Sequence, residues 1–393
     1  MELQTIENKV YKGKRVFLRV DFNVPINNGE ITDDTRIKAA LPTINYLLGK
    51  GASLVVASHL GRPKGKVVPE MSLKPVRDKL SAMLGKEIKF VSDCIGTEAE
   101  KMAAELKEGE VLLLENLRFH KEEEEGEEKF ANQLASLADC YVNDAFGTCH
   151  RKHASIYQIT KYTESVACGY LIQKETKALT KLMENPEKPF LLILGGAKIL
   201  DKIGMIKNLL DKVDTIITGG VMAYTFIKAK NWEIGDCKVE PEAVPAAKEI
   251  IKAVNKKHME FHTPLDHIIA DSVSADAHFF ATDRGTVPKN WIGVDIGPEA
   301  IEEYTDCINR AKTIFWNGPM GIFEIEPFAA GTMAIAKAIA AADVFSVIGG
   351  GDSVAAVNKA GVSDKVSHIC TGGGASLEFL EKGALPGIEV LKK

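Results

Sequence analysis

Four stretches of the chain place polar or cationic side chains directly behind an apolar run. Arg15-Val-Phe-Leu-Arg-Val ends in Asp21 and Asn23 before Pro25 stops it, and Arg36 follows in the first turn of a helix predicted from Thr32-Asp-Asp-Thr. Ser53-Leu-Val-Val-Ala-Ser runs into His59, Gly61 and Arg62; Val111-Leu-Leu-Leu into Arg118 and His120; Cys140-Tyr-Val-Asn into His150, Arg151 and His153. A single arginine or histidine behind a strand is ordinarily a solvated loop residue. Four such tips together predict a small, strongly anionic ligand, because guanidinium forks grip phosphate and carboxylate bidentately. Arg36 stands where the helix dipole favours an acid, which points to a ligand; an ion pair to Asp33 or Asp34 is the alternative.

The second half offers backbone in place of side chains. Leu191-Leu-Ile-Leu ends in Gly195-Gly196, Thr215-Ile-Ile-Thr in Gly219-Gly220, Phe345-Ser-Val-Ile in Gly349-Gly350-Gly351, and Ser367-His-Ile-Cys-Thr in Gly372-Gly373-Gly374. Glycine lets main-chain N–H groups approach a polyphosphate closely. Lys198 and Lys202, at i and i+4, are expected on one face of a helix start behind Gly195-Gly196, with two solvated lysines as the alternative. Asp352 supplies a hard oxygen ligand for magnesium, or else it is the N-cap of a helix beginning at Ser353. Phe315-Trp-Asn-Gly-Pro-Met-Gly-Ile-Phe-Glu324 is suited to stacking a base and accepting from ribose hydroxyls. The acidic run from Lys121 to Lys129 reads as a solvated loop or helix start without chemistry.

Two common nucleotide signatures are absent. In Gly61-Arg-Pro-Lys-Gly65-Lys66-Val67 the glycines stand one residue too close for a P-loop, and Val67 replaces the Ser or Thr. Gly349-Gly-Gly351-Asp-Ser-Val354 and Gly372-Gly-Gly374-Ala-Ser-Leu377 both lack the third glycine of the dinucleotide fingerprint, which counts against a dinucleotide oxidoreductase.

Helical patterns separate the strands, and that alternation predicts a parallel, doubly wound sheet whose ligands lie beyond the carboxyl ends of its strands. At 393 residues the chain exceeds one ordinary hydrophobic core, so two domains are expected, with a connector over Cys168 to Pro186. A net charge of −5 argues against a general nucleic-acid or membrane-surface binder, so small-molecule partners are expected. No apolar run reaches a membrane span, the N-terminus lacks the regions of a signal peptide, and the seven cysteines hold no CxxC pair. A cytoplasmic protein without a disulfide framework or a zinc site is the expectation.

On these residues the chain resembles the phosphoglycerate kinase family. The matching segments include Arg19-Val-Asp-Phe-Asn-Val-Pro25, Ser58-His-Leu-Gly-Arg-Pro-Lys64, Glu115-Asn-Leu-Arg-Phe119, Leu194-Gly-Gly-Ala-Lys198, Asp295-Ile-Gly-Pro298, Trp316-Asn-Gly-Pro-Met-Gly321, Gly349-Gly-Gly-Asp-Ser353 and Thr371-Gly-Gly-Gly-Ala-Ser-Leu-Glu-Phe-Leu380, in the family's order. Departures at Cys149, Cys370, Val221 and Tyr224 leave the charged residues intact.

The resemblance implies an α/β fold of two doubly wound, Rossmann-like parallel-sheet domains facing a central cleft. Residues 1–169 would bind 3-phosphoglycerate, 170–185 would connect, 186–377 would bind nucleotide, and a tail of 378–393 would pack back on the first domain. It implies that Asp21, Asn23, Arg36, His59, Leu60, Gly61, Arg62, Arg118 and Arg151 hold 3-phosphoglycerate or 1,3-bisphosphoglycerate. Lys198, Lys202, Gly293, Glu324, Gly350, Gly351, Asp352 and Ser353 would hold ADP or ATP, with Mg2+ on Asp352. The activity implied is reversible phosphoryl transfer between the acyl phosphate and ADP in a monomer, with Arg36 and Lys202 as the catalytic clamps and domain closure excluding water. A non-catalytic two-lobed binder of an organic anion is the rival reading, and it leaves the second, glycine-built anion site and Asp352 without a role.

Overall fold

The computed structural model describes residues 2–283 and 285–392. The chain forms two compact units, one of residues 1–177 with 384–393 and one of residues 178–383, and it passes from the first to the second within the helix Tyr170–Glu184.

The first unit holds a six-stranded sheet of β1 (Arg15–Arg19), β2 (Ser53–Ala57), β3 (Lys89–Val91), β4 (Val111–Leu114), β5 (Cys140–Asn143) and β6 (Val166–Cys168), in the spatial order β3-β4-β2-β1-β5-β6. Every pairing is parallel. Strands β2, β4 and β5 are buried at every residue, as continuous apolar runs should be when helices cover both faces of a sheet. Leu18, Val20, Ile37, Ile44, Leu54, Val56, Leu113 and Val142 build the core of one face. From β1 the chain winds to one side, and after β4 it crosses to β5 and winds to the other. The connections therefore diverge between β1 and β5, the point at whose carboxyl ends a doubly wound sheet holds its ligands.

In the second unit, β7 (Phe190–Leu194), β8 (Thr215–Thr218), β9 (Glu260–His262), β13 (Thr313–Asn317), β14 (Phe345–Gly349) and β15 (His368–Ile369) form a parallel sheet in the order β9-β8-β7-β13-β14-β15. Here the switch lies between β7 and β13. A three-stranded antiparallel sheet, β11-β10-β12, is formed by β10 (His267–Ala270), β11 (Phe279–Ala281) and β12 (Ile292–Ile296). Sequence patterning did not reveal it, because its strands are short and β11 is exposed at all three residues.

Strand β13 also corrects a sequence expectation. Phe315 and Trp316 are fully buried, and Trp316 Nε1 donates to Gly318 O at 2.7 Å, so neither ring can stack a base. A central strand covered on both faces uses its aromatics as core.

Candidate active site

In the first unit the loops behind β1, β2, β4 and β5 leave the same sheet edge and are tied to one another. Asp21 accepts two hydrogen bonds from Arg36 Nη1, at 3.0 and 3.1 Å, and the same nitrogen donates to Asn23 O at 3.2 Å. Arg36 thus turns back to the end of β1 rather than toward Asp33 or Asp34. Asp34 is instead paired with Lys38 and Lys79, and Asp33 accepts from Thr35 N. Asn23 Oδ1 accepts from Gly61 N at 2.8 Å, and Arg118 Nη1 donates to Gly61 O at 2.8 Å. Asn116, which sequence reasoning passed over, binds Leu60 through both its N–H and its carbonyl, at 3.1 and 2.7 Å. These bonds hold Asp21, Asn23, Leu60, Gly61 and Arg118 in one lattice. His120 is engaged elsewhere, with Asp93 at 2.7 Å.

Beneath the lattice lies a buried polar network. Arg19 is 0% exposed, and its Nε donates to Ser155 Oγ at 2.8 Å. Ser155 Oγ in turn donates to Glu123 Oε1 at 2.6 Å, while Ser155 N donates to Glu123 Oε2 at 2.9 Å. Glu123 is also 0% exposed and lies 3.8 Å from Arg19 Nη2. The acidic run was expected to be solvated throughout, and Glu123 contradicts that. A carboxylate leaves water only when its partners are supplied, and here they come from two other segments of the chain. Replacing Glu123 with Gln leaves the Arg19 charge uncompensated, and we expect urea unfolding to show a loss of about 3–5 kcal/mol; a loss under about 1 kcal/mol would mean the pair does not hold this edge together.

Arg19 also fixes a histidine. Its Nη2 lies 3.4 Å from Nδ1 of the buried His59, and since a guanidinium only donates, Nδ1 accepts and the ring proton sits on Nε2. Burial holds His59 well below the usual histidine value, with Arg19, Arg118, Arg36 and His153 adding to the effect. His153 is pushed down to about 3 by burial and then by Arg118, Arg19 and Arg151. Both rings are neutral at physiological pH. Arg62 and Arg151 stand apart from this lattice and are exposed. Among the described residues the arginine ion pairs belong to Arg15, Arg19, Arg36, Arg77, Arg118 and Arg310, so neither Arg62 nor Arg151 has a carboxylate partner.

In the second unit Lys202 closes the switch point. It ends a short 3-10 turn, Leu200–Lys202, and the α-helix Ile203–Leu209 begins only after it. The expected pair of lysines on one helical face is therefore not formed. Lys198 is exposed, whereas Lys202 is buried and its Nζ donates to Gly195 O at 2.7 Å and Asn317 O at 3.1 Å. Those carbonyls lie where β7 and β13 diverge. Burial pulls the Lys202 ammonium down to about 8, against the opposing pull of Asp352 and Asp201.

The glycines divide into two sets. A Cβ on Gly195 would lie 2.1 Å from Pro319 O, and one on Gly318 would lie 2.1 Å from Gly195 O, so these two let loops cross at van der Waals contact rather than meet a ligand. Gly351 and Gly374 face open space. Gly350, with φ +88°, caps the helix Gly351–Lys359, whose first-turn N–H groups on Gly351, Asp352 and Ser353 have no intrahelical acceptor. Asp352 is exposed in that first turn and is not its cap. The Ser353 hydroxyl is fully buried and accepts from Gly318 N at 2.6 Å, so only its backbone can serve a ligand. Glu324 is exposed in the loop behind β13. Gly293 lies on β12, where a Cβ would overlap Tyr224 Oη at 1.8 Å, and that buried hydroxyl reaches His267 Nδ1 at 3.2 Å.

Comparison with known proteins shows the family. The family model for phosphoglycerate kinase matches residues 6–383. The chain is 52% identical over 390 residues to a phosphoglycerate kinase of Clostridium botulinum (strain Langeland), covering 99% of this chain and 98% of that protein. It is 53% identical over 387 residues to that of Moorella thermoacetica, covering 98% of each. The solved phosphoglycerate kinase of Coxiella burnetii superposes with a TM-score of 0.89 at 40% identity, and that of Pyrococcus horikoshii with 0.87 at 34%; each match covers 99% of this chain and 98% of the other. With its two doubly wound sheets and its match over nearly the whole length, the chain belongs to the phosphoglycerate kinase family.

Proposed function

We propose that the two units divide the reversible transfer of a phosphoryl group between 1,3-bisphosphoglycerate and ADP, the first holding the phosphoglycerate and the second the nucleotide. Arg62 and Arg151 carry this reading: exposed guanidinium groups without a carboxylate, beside a lattice that already neutralises Asp21 with Arg36. They meet phosphate and carboxylate as forks, and the neutral His59 offers its Nε2 proton beside them. The first-turn N–H groups of Gly351, Asp352 and Ser353, with Lys198 and Lys202, meet the polyphosphate, while Gly293 and Glu324 border the nucleoside.

A carboxylate or a terminal phosphate is already an anion, so no general base is required, and the neutral, buried histidines are consistent with that. Catalysis is positioning together with neutralisation of charge on the migrating group by Arg36 and Lys202. The ligands held by the two units must meet during transfer, and closure that excludes water protects the acyl phosphate from hydrolysis.

Asp352 suits magnesium. Its carboxylate is exposed beside unpaired N–H groups and has no hydrogen bond or ion pair among the described residues. Mg2+ typically takes one or two carboxylates with substrate phosphates, and when bound it offsets phosphate charge. We assign the protein to the cytoplasm as a monomer; among the described residues no helix is long and apolar enough to cross a membrane.

Calorimetry tests the division. Arg62→Ala or Arg151→Ala should weaken 3-phosphoglycerate binding by roughly tenfold or more, the worth of a lost charged hydrogen bond, and leave ADP affinity nearly unchanged. Equal losses for both ligands would contradict it.

A further inference from the structure

The second unit carries a cluster of metal-binding side chains at the opposite sheet edge from Lys202. Glu260 and His262 stand at i and i+2 on β9, so they share one face of that edge strand. Glu303, Cys307 and Arg310 stand at i, i+4 and i+7 on the helix Pro298–Arg310, so they share one face of the helix. The Glu260 carboxylate, a His262 ring nitrogen and Cys307 Sγ all lie within 4.8 Å of one another. His262 Nδ1 lies 2.8 Å from Glu303 Oε1. The other ring nitrogen, Nε2, is buried and lies 3.7 Å from Glu260 Oε2; contact with Cys307, and then with Glu303, raises the ring to about 9, so Nε2 gives up its proton when a cation takes its place. A carboxylate that orients a histidine through its far nitrogen is the usual companion of a metal-bound imidazole.

We propose that Glu260, His262 and Cys307 bind one thiophilic divalent cation of the zinc class. A thiolate, an imidazole and a carboxylate together favour zinc over magnesium or calcium, which prefer oxygen alone. Binding releases two protons to solvent, one from the Cys307 thiol and one from His262 Nε2, and the resulting thiolate and the Glu260 carboxylate balance the charge of the ion. Glu260 and Cys307 also line a pocket of about 720 Å³ at the amino-terminal edge of the sheet, which gives an ion a path to them. Arg310 already places a positive charge there. Its guanidinium meets Glu260 at 3.1 and 3.3 Å and Cys307 Sγ at 3.5 Å, yet the side chain is 58% exposed and can swing out. The site escapes spacing rules because its ligands come from a strand and a helix far apart in the chain.

Cobalt(II) is the probe, added to chelator-treated full-length protein with Mg2+ and ADP in excess. The expected result is one equivalent bound with an intense near-ultraviolet thiolate-to-cobalt band and tetrahedral visible absorption, displaced by Zn2+. Cys307→Ser abolishes the band, Glu303→Gln weakens binding by roughly 10–100-fold, and Arg310→Ala tightens it by up to about fivefold by removing the competing charge. A thiolate band that persists in Cys307→Ser would overturn the proposal. So would one lost in Cys94→Ser, which would place the metal at the Asp93, Cys94 and His120 cluster. The optical readout does not depend on phosphoryl transfer, so either result leaves the reading of the active site standing.

Discussion

Lys202→Ala is expected to lower kcat by roughly 10²–10³-fold, with a much smaller loss of ADP affinity. Lys202 is the one site residue of the second unit whose charge is buried, and it is held on two main-chain carbonyls at the point where the sheet's connections diverge. An ammonium in that position costs nothing to organise when negative charge develops on the migrating group. A positive charge that acts mainly in the transition state appears in kcat rather than in binding. Steady-state kinetics beside calorimetric ADP titration separates the two, and a raised KM with near-normal kcat would make Lys202 a binding residue.

A pH dependence follows from the same group. Burial brings the folded-state value of Lys202 down to about 8. Its cationic form is complete below that value and is lost as pH rises through it. The profile of kcat/KM, which reports the free enzyme, should therefore fall on its basic limb near pH 8, and the limb should be absent from the residual activity of Lys202→Ala.

Arg36→Ala is expected to cost about as much, roughly 10²–10³-fold in kcat, for a different reason. Arg36 reaches the carboxyl end of β1, where its Nη1 bonds Asp21 and Asn23. The alanine variant both removes the charge and takes from the largely buried Asp21 the guanidinium that pairs with it. Arg36→Lys separates these effects. It keeps the charge but lacks the fork, so a partial recovery of less than about tenfold is expected. Full recovery would show that any cation suffices at this position.

Much of the fold could be read from residues alone because it rests on the simplest signal, continuous apolar runs ending in polar or glycine tips. Parallel sheets bring all those tips to one edge, so Asp21, Asn23, His59, Gly61 and Arg118 were expected together, and hydrogen bonds join or adjoin them. The misread parts depend on three-dimensional partners. Glu123 sits in a run of four glutamates among which nothing local marks it, and Arg19 and Ser155, from other segments, take it out of solvent. Trp316 looked like a ligand platform because a Gly-Pro turn follows it, but its strand is central and buried on both faces. Gly195 looked like a phosphate contact and instead, with Gly318, lets two loops cross. Lys202 was expected on a helix face beside Lys198; a 3-10 turn and two main-chain carbonyls turn it inward.

The central claim is that one cation from each unit acts on the same phosphoryl group, and a double-mutant cycle on kcat tests it most directly. The variants are Lys202→Ala, Arg36→Ala and the pair, with saturating substrates and unfolding midpoints checked for each. Charges that share a partner in the transition state are coupled. The double variant should therefore lose less than the product of the single losses, by roughly tenfold or more, a coupling of about 1.4 kcal/mol within the range for groups in one network. A double variant whose loss equals that product would mean that the two residues serve separate events, and the shared clamp would be wrong.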